Sequence, residues 1–146
     1  MHLNLLIING PNLNLIGKRE KEIYGDISFE DFLERLRLDY TDKCKIAYFQ
    51  SNIEGELVEA LQKSEGVYDG IIINAGGYTH TSVAITDAIA AISVPVAEVH
   101  ISNIFNREEF RQISLISKNC VGTVSGFGLL SYVLAIEYFL KKHLEK

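Results

Sequence analysis

Leu3-Asn-Leu-Leu-Ile-Ile-Asn-Gly-Pro-Asn-Leu-Asn-Leu-Ile-Gly17 runs from a largely apolar segment straight into a loop. Leu3 to Ile8 reads as a fully buried strand. The loop continues through Lys18-Arg-Glu-Lys-Glu-Ile-Tyr-Gly25 before the next credible helix start at Ser28. Connections in compact α/β units are mostly about two to six residues long, and long ordered ones are usually functional. This one carries the amides of Asn9, Asn12 and Asn14, the cation of Arg19 and the phenol of Tyr24. It is bracketed by Gly17 and Gly25, which can act as hinges.

Beyond the loop, strands and helices alternate. Ser28-Phe-Glu-Asp31 reads as a helix cap followed by an acid, and Phe29, Phe32, Leu33, Leu36 and Tyr40 recur at helical spacing, which carries the helix to about Asp42. Lys45 to Gln50 is a short strand. Glu54 to Ser64, with Leu57, Val58 and Leu61 on one face, is a second helix. Ile71 to Ile73 is the third strand and Ser82 to Ile92 an alanine-rich helix. Val94 to Val99, with Pro95 near its start, is the fourth strand. Cys120 to Val124 is the fifth and Gly128 to Lys142 the closing helix, with Gly126 and Gly128 read as small residues for packing that helix against a strand.

Continuous β-branched strands separated by helices are the pattern of a parallel sheet covered on both faces. The expected fold is therefore a doubly wound α/β domain, a five-stranded parallel sheet in a three-layer α/β/α arrangement, spanning 1–146 as a single domain. No linker, repeat or low-complexity tract divides it. Acids outnumber bases 19 to 14, for a net charge of −5, which argues against a nucleic-acid partner. Cys44 and Cys120 are too few and too far apart for a disulfide framework, which fits a reducing cytoplasm. No signal pattern or membrane-length apolar run is expected, so neither is a membrane partner.

In such a sheet the ligand lies beyond the carboxyl ends of the strands. There the sequence places Asn9 and Asn12, then Gln50, Ser51 and Asn52, then Asn74, then Glu98 and His100, then Ser125. Any one of these is ordinary loop polarity; as a set, their amides, imidazoles and hydroxyls suit a small hydroxylated or carboxylated molecule. His100 follows a buried strand and can exchange a proton near neutral pH, and Glu98, two residues earlier, shares its side of the strand. His80, taken alone, reads more readily as a surface histidine. The histidines lack the thiolate or clustered carboxylate partners of zinc and iron sites, so no metal is expected. Neither nucleotide phosphate-loop pattern follows the first strand.

Asn9-Gly-Pro-Asn-Leu-Asn-Leu with Gly17, Arg19-Glu20 and Tyr24-Gly25 opens a series of motifs continued by Asn74-Ala-Gly, Tyr78-Thr-His-Thr-Ser82, Glu98-Val-His-Ile-Ser-Asn103, Arg107-Glu-Glu-Phe-Arg111 and Gly126-Phe-Gly to Tyr132. Together and in this order they resemble the type II 3-dehydroquinate dehydratases. The resemblance covers nearly the whole chain. It implies a flavodoxin-like fold and dehydration of 3-dehydroquinate to 3-dehydroshikimate in the shikimate pathway, with no cofactor.

By the same resemblance Tyr24 is the base, its phenol biased toward the anion by Arg19, and Arg107 adds to that field. Asn12 steadies the enolate oxygen, and His100 is the acid, supported by Glu98. Asn74, Ile101 and Ser102 hold the substrate carboxylate, and His80 and Arg111 its hydroxyls. A homo-oligomer is implied, a dodecamer built as a tetramer of trimers, in which Asp87 reaches a neighbouring subunit's site. Lys21, Gly77 and Ser131 stand where the family commonly has proline, alanine and glycine. A flavin- or nucleotide-binding module of the same fold is the alternative, since fold alone does not fix function.

Overall fold

The computed structural model describes residues 2–18, 22 and 26–146. Arg19, Lys21, Tyr24 and Gly25 lie outside the described residues. Five strands, β1 (Leu3–Asn9), β2 (Cys44–Gln50), β3 (Gly70–Asn74), β4 (Val96–His100) and β5 (Gly122–Ser125), form one sheet in the order β2-β1-β3-β4-β5. Every pairing is parallel. Among the described residues, four helices connect and cover it: α1 (Phe29–Asp39), α2 (Glu54–Lys63), α3 (Val83–Ala91) and α4 (Leu130–Leu144). This is the flavodoxin-like doubly wound order, with the chain reversing its direction of travel at β1.

Alternate side chains of each strand feed opposite cores. Leu5 and Ile7 of β1, Ile72 of β3 and Val99 of β4 pack with Phe29, Leu33 and Leu36 of α1 and Tyr132, Ile136 and Phe139 of α4. Leu6 and Ile8, Ile71 and Ile73, and Val96 face the other way, onto Leu57 and Leu61 of α2 and Ile85 and Ile89 of α3. Each fully buried leucine or isoleucine contributes about 1.5–3 kcal/mol relative to exposure. The central strands therefore need apolar residues at nearly consecutive positions, which is why β3 and most of β1 read as apolar runs, while β4 carries Glu98 and the edge strand β5 is Gly-Thr-Val-Ser.

Two helix starts follow the expected chemistry. Ser28 Oγ accepts the N–H of Asp31 at 3.1 Å, and Ser82 Oγ that of Ile85 at 2.9 Å, satisfying amides that a helix leaves without internal partners. Other boundaries shift. The first helix stops at Asp39, because Thr41 Oγ1 donates to the carbonyls of Arg37 and Leu38 at 2.9 and 3.0 Å and closes the last turn. The fourth strand begins at Val96 after Pro95, which has no N–H to offer the ladder. Gly128 is not a packing glycine, since a Cβ there meets nothing within 4 Å, whereas one on Gly126 would stand 3.3 Å from Asn103 Cβ; both have positive φ, 95° and 64°. Their role is the turn into α4, where the Ser131 hydroxyl accepts the Phe127 N–H at 3.1 Å. Among the described residues, no helix is long and apolar enough to cross a membrane.

Candidate active site

At the carboxyl ends of β1, β3 and β4 lies a cavity of about 280 Å³. Its polar lining comes from Asn12, Asn74, His80, His100, Ser102, Arg107 and Arg111, its apolar lining from Leu13, Leu15, Ile16 and Ile104. It sits where strand order reverses, the position the topology reserves for a ligand.

The cavity floor is built from the pairing of β1 with β3. Asn9 lies opposite Asn74, and both side chains turn toward α4. There the Tyr132 hydroxyl donates to Asn9 Oδ1 at 2.7 Å and accepts from Asn74 Nδ2 at 3.0 Å. Asn74 Oδ1 in turn accepts the Gly76 N–H at 3.2 Å. All three side chains are buried, so each polar atom needs a partner. Just beyond, the Gly10 N–H donates to the Asn74 carbonyl at 2.8 Å. A Cβ on Gly10 would stand 2.5 Å from the Ala75 carbonyl oxygen, so only glycine permits this approach.

Asn12 forms the rim in the left-handed region, with φ of 68°, the one such non-glycine among the described residues. Its N–H donates to Asn52 Oδ1 at 3.0 Å. That oxygen also takes the Gln50 amide at 3.2 Å, while the Asn52 carbonyl accepts from the Tyr78 hydroxyl at 3.1 Å. The end of β2 thus anchors the loop after β1.

On the opposite wall, Glu98 is fully buried and His100 nearly so. Glu98 Oε2 is hydrogen-bonded to His100 Nε2. The other ring nitrogen, Nδ1, is left for a ligand. Glu98 Oε1 accepts from Ser114 Oγ at 3.0 Å and from Thr123 Oγ1 at 3.4 Å. The His80 ring lies 6.4 Å from that of His100, with 22° between their planes. His80 Nδ1 is 2.7 Å from the Ile113 carbonyl, which only accepts, so Nδ1 carries the proton. Burial holds the His80 imidazole below its ordinary value; the Ile113 carbonyl and Glu98 oppose this, and the charges of His100 and Arg111 reinforce it. A neutral His80 therefore offers Nε2 as an acceptor.

Two cations complete the wall. Arg107 Nη1 donates to Ser102 Oγ at 3.2 Å. Arg111 Nε donates to Glu108 Oε2 at 2.6 Å, yet Arg111 still lines the cavity, so the surface ion pair and the cavity position coexist.

The structure thus gathers Asn12, Asn74, His80, His100, Ile101, Ser102 and Arg111 around one space, with Glu98 directly behind His100. Arg19 and Tyr24 fall outside the described residues. Asp87 is exposed on α3 and takes no part in the lining. Ser125 also stands back: its hydroxyl donates to the Ser102 carbonyl at 3.2 Å and holds that loop. Ser51 serves the start of α2, accepting the Ile53 N–H at 2.9 Å. Sequence reasoning gave no lining role to Pro11 and Gly76, although both stand within the quoted motifs, and it missed Ser114 and Thr123 altogether.

A family model described as "Dehydroquinase class II" matches residues 3–140. The chain belongs to the class II dehydroquinase family. It is an enzyme of that family, and the flavin-binding alternative is set aside. Among family relatives, the 3-dehydroquinate dehydratase of Fusobacterium nucleatum is 50% identical over 143 residues, covering 95% of this chain and 97% of its own. That of Prochlorococcus marinus is 52% identical over 136 residues, covering 92% and 94%. Among solved structures, the type II dehydroquinase from Butyrivibrio crossotus superposes with a TM-score of 0.91 at 43% identity, covering 94% of this chain and 97% of that one. The type II dehydroquinase from Propionibacterium acnes gives 0.91 at 33%, covering 97% and 99%.

Proposed function

We propose that the chain dehydrates 3-dehydroquinate to 3-dehydroshikimate through an enolate, without a cofactor, in the shikimate pathway of the cytoplasm. The observation that carries the reading is the cavity itself, where an imidazole backed by a buried carboxylate faces amides, a second imidazole and a guanidinium. The proton removed lies α to a ketone, so the reaction needs a base, a site for the enolate oxygen and an acid for the departing hydroxyl.

Tyr24 is the base. A free phenol has a pKa near 10, and the guanidinium of Arg19 favours its anion. Asn12 steadies the enolate oxygen through an ordered water. His100, held at Nε2 by Glu98, delivers a proton from Nδ1 to the leaving hydroxyl, which departs as water. Asn74 and the backbone amides of Ile101 and Ser102 hold the carboxylate, while neutral His80 and Arg111 hold ring hydroxyls.

Self-assembly is part of the proposal. Phe105, Phe127 and Leu134 are exposed beside β5 at the open edge of the sheet, and a second copy covering them would remove apolar surface from water. A dodecamer of four trimers, with Asp87 reaching a neighbour's site, is the assembly proposed.

The test is the ultraviolet absorbance of the conjugated enone when purified protein meets 3-dehydroquinate, with and without chelator and borohydride. Growth under all conditions is the expected result. No growth from folded, assembled protein overturns the reading.

A further inference from the structure

We propose that Ser114 is a positioning residue, whose hydroxyl fixes the Glu98 carboxylate in the orientation that aligns the His100 imidazole with the cavity. The inference rests on the reading of His100 as the acid. Glu98 meets His100 through Oε2 alone, so the direction of that bond depends on what restrains Oε1. Ser114 Oγ accepts the Ser117 N–H at 3.2 Å, which leaves its own proton to donate, and Glu98 Oε1 stands 3.0 Å away. The Ser117 hydroxyl donates to the Ser114 carbonyl at 3.3 Å and fixes the backbone as well. Thr123, paired in register with Glu98 across β4 and β5, adds a longer contact at 3.4 Å.

The neighbours of Ser114 extend the argument. Ile113 supplies the carbonyl that orients His80, and the Leu115 N–H donates to the Thr79 carbonyl at 2.9 Å. Three consecutive residues therefore address both imidazoles and the segment carrying His80. A loop that merely closed the surface would need no hydroxyl directed at a buried carboxylate. The titratable and charged groups facing the Glu98–His100 pair are His80, Arg107 and Arg111 around the cavity, and Cys120, whose thiol is pushed up to about 12 by burial and then by the Glu98 charge.

Two readouts test the proposal in the parent, Ser114→Ala and Ser114→Thr. Histidine C2–H deuterium exchange followed by mass spectrometry gives the protonation midpoint of His100 without any turnover. Steady-state kinetics with 3-dehydroquinate separates kcat from KM. In Ser114→Ala the released carboxylate no longer faces the imidazolium squarely, so the His100 midpoint moves down and kcat falls on the order of ten-fold, with KM changing less. Ser114→Thr retains the hydroxyl and restores both. If Ser114→Ala does not fold, Ser114→Cys, similar in shape but a weak donor, is expected to move the midpoint the same way. A folded Ala or Cys variant with an unchanged or raised midpoint overturns the proposal, as does failure of Thr to restore it. If the parent itself does not turn over, the dehydratase reading fails, and the exchange midpoint still decides the role of Ser114.

Discussion

Asn9 and Asn74 stand opposite one another across β1 and β3, and one phenolic hydroxyl, that of Tyr132, joins their side chains. Because Asn74 Nδ2 is committed to that hydroxyl and Oδ1 to the Gly76 N–H, the face the amide presents to the cavity is set from behind. Tyr132→Phe removes only the oxygen, and leaves a buried acceptor and a buried donor without their partner. It is expected to lower stability by about 1–3 kcal/mol, measured by denaturant unfolding, and to raise KM more than it lowers kcat. Parent-like KM would show that Asn74 needs no such anchor.

Asn12 separates conformational cost from chemistry. Its φ of 68° suits glycine better than alanine. Asn12→Ala is expected to lose roughly 1 kcal/mol of stability, whereas Asn12→Gly holds the parent's melting temperature. Both lose the side chain proposed to steady the enolate, so both should fall about 100-fold or more in kcat. A glycine variant that is stable and fully active would take the Asn12 amide out of the reaction.

Tyr24→Phe and Arg19→Ala test the proposed base and its tuning cation. Each is expected to lower turnover by about 100- to 10,000-fold while leaving the circular dichroism spectrum unchanged. A variant that keeps the parent's rate removes that residue from the mechanism.

His80 links acidity to stability. Burial holds its imidazole below the ordinary value, so on acidification the unfolded chain takes up its proton first, below about pH 6.5. The unfolded state then binds more protons than the folded one. Stability therefore falls as pH drops through that window and is unaffected by His80 above it. Unfolding midpoints collected between about pH 5 and 7 should show a shallower slope in His80→Asn. Equal slopes in both proteins would assign the acid sensitivity elsewhere.

The central strands were legible because burial on both faces demands largely apolar runs, and Leu5 to Ile8 or Ile71 to Ile73 admit little else. Helix starts at Ser28 and Ser82 were legible because a cap is a local device. The first helix was read past its end because Thr41 closes it with side-chain bonds that periodicity does not register. The cavity's polar groups were legible at strand ends, where topology dictates position. Their supports were not: Asn52 reaches the Asn12 N–H, Ser114 reaches Glu98 and Tyr132 reaches Asn9 across 40, 16 and 123 positions of chain respectively. Such partners are chosen by the assembled fold, and nothing in their immediate neighbours announces them.

The hydroxyl of Tyr132 belongs to the last helix, while the asparagines it joins belong to the first and third strands. During synthesis, Asn9 leaves the ribosome long before the residue that will restrain it has been translated. The nascent chain can lay β1 against β3 early, but the cavity floor acquires its final shape only when the carboxyl-terminal helix docks. A chain cut short before Tyr132 would keep every side chain proposed to touch substrate and still lack the hydroxyl that joins the two asparagines of the floor.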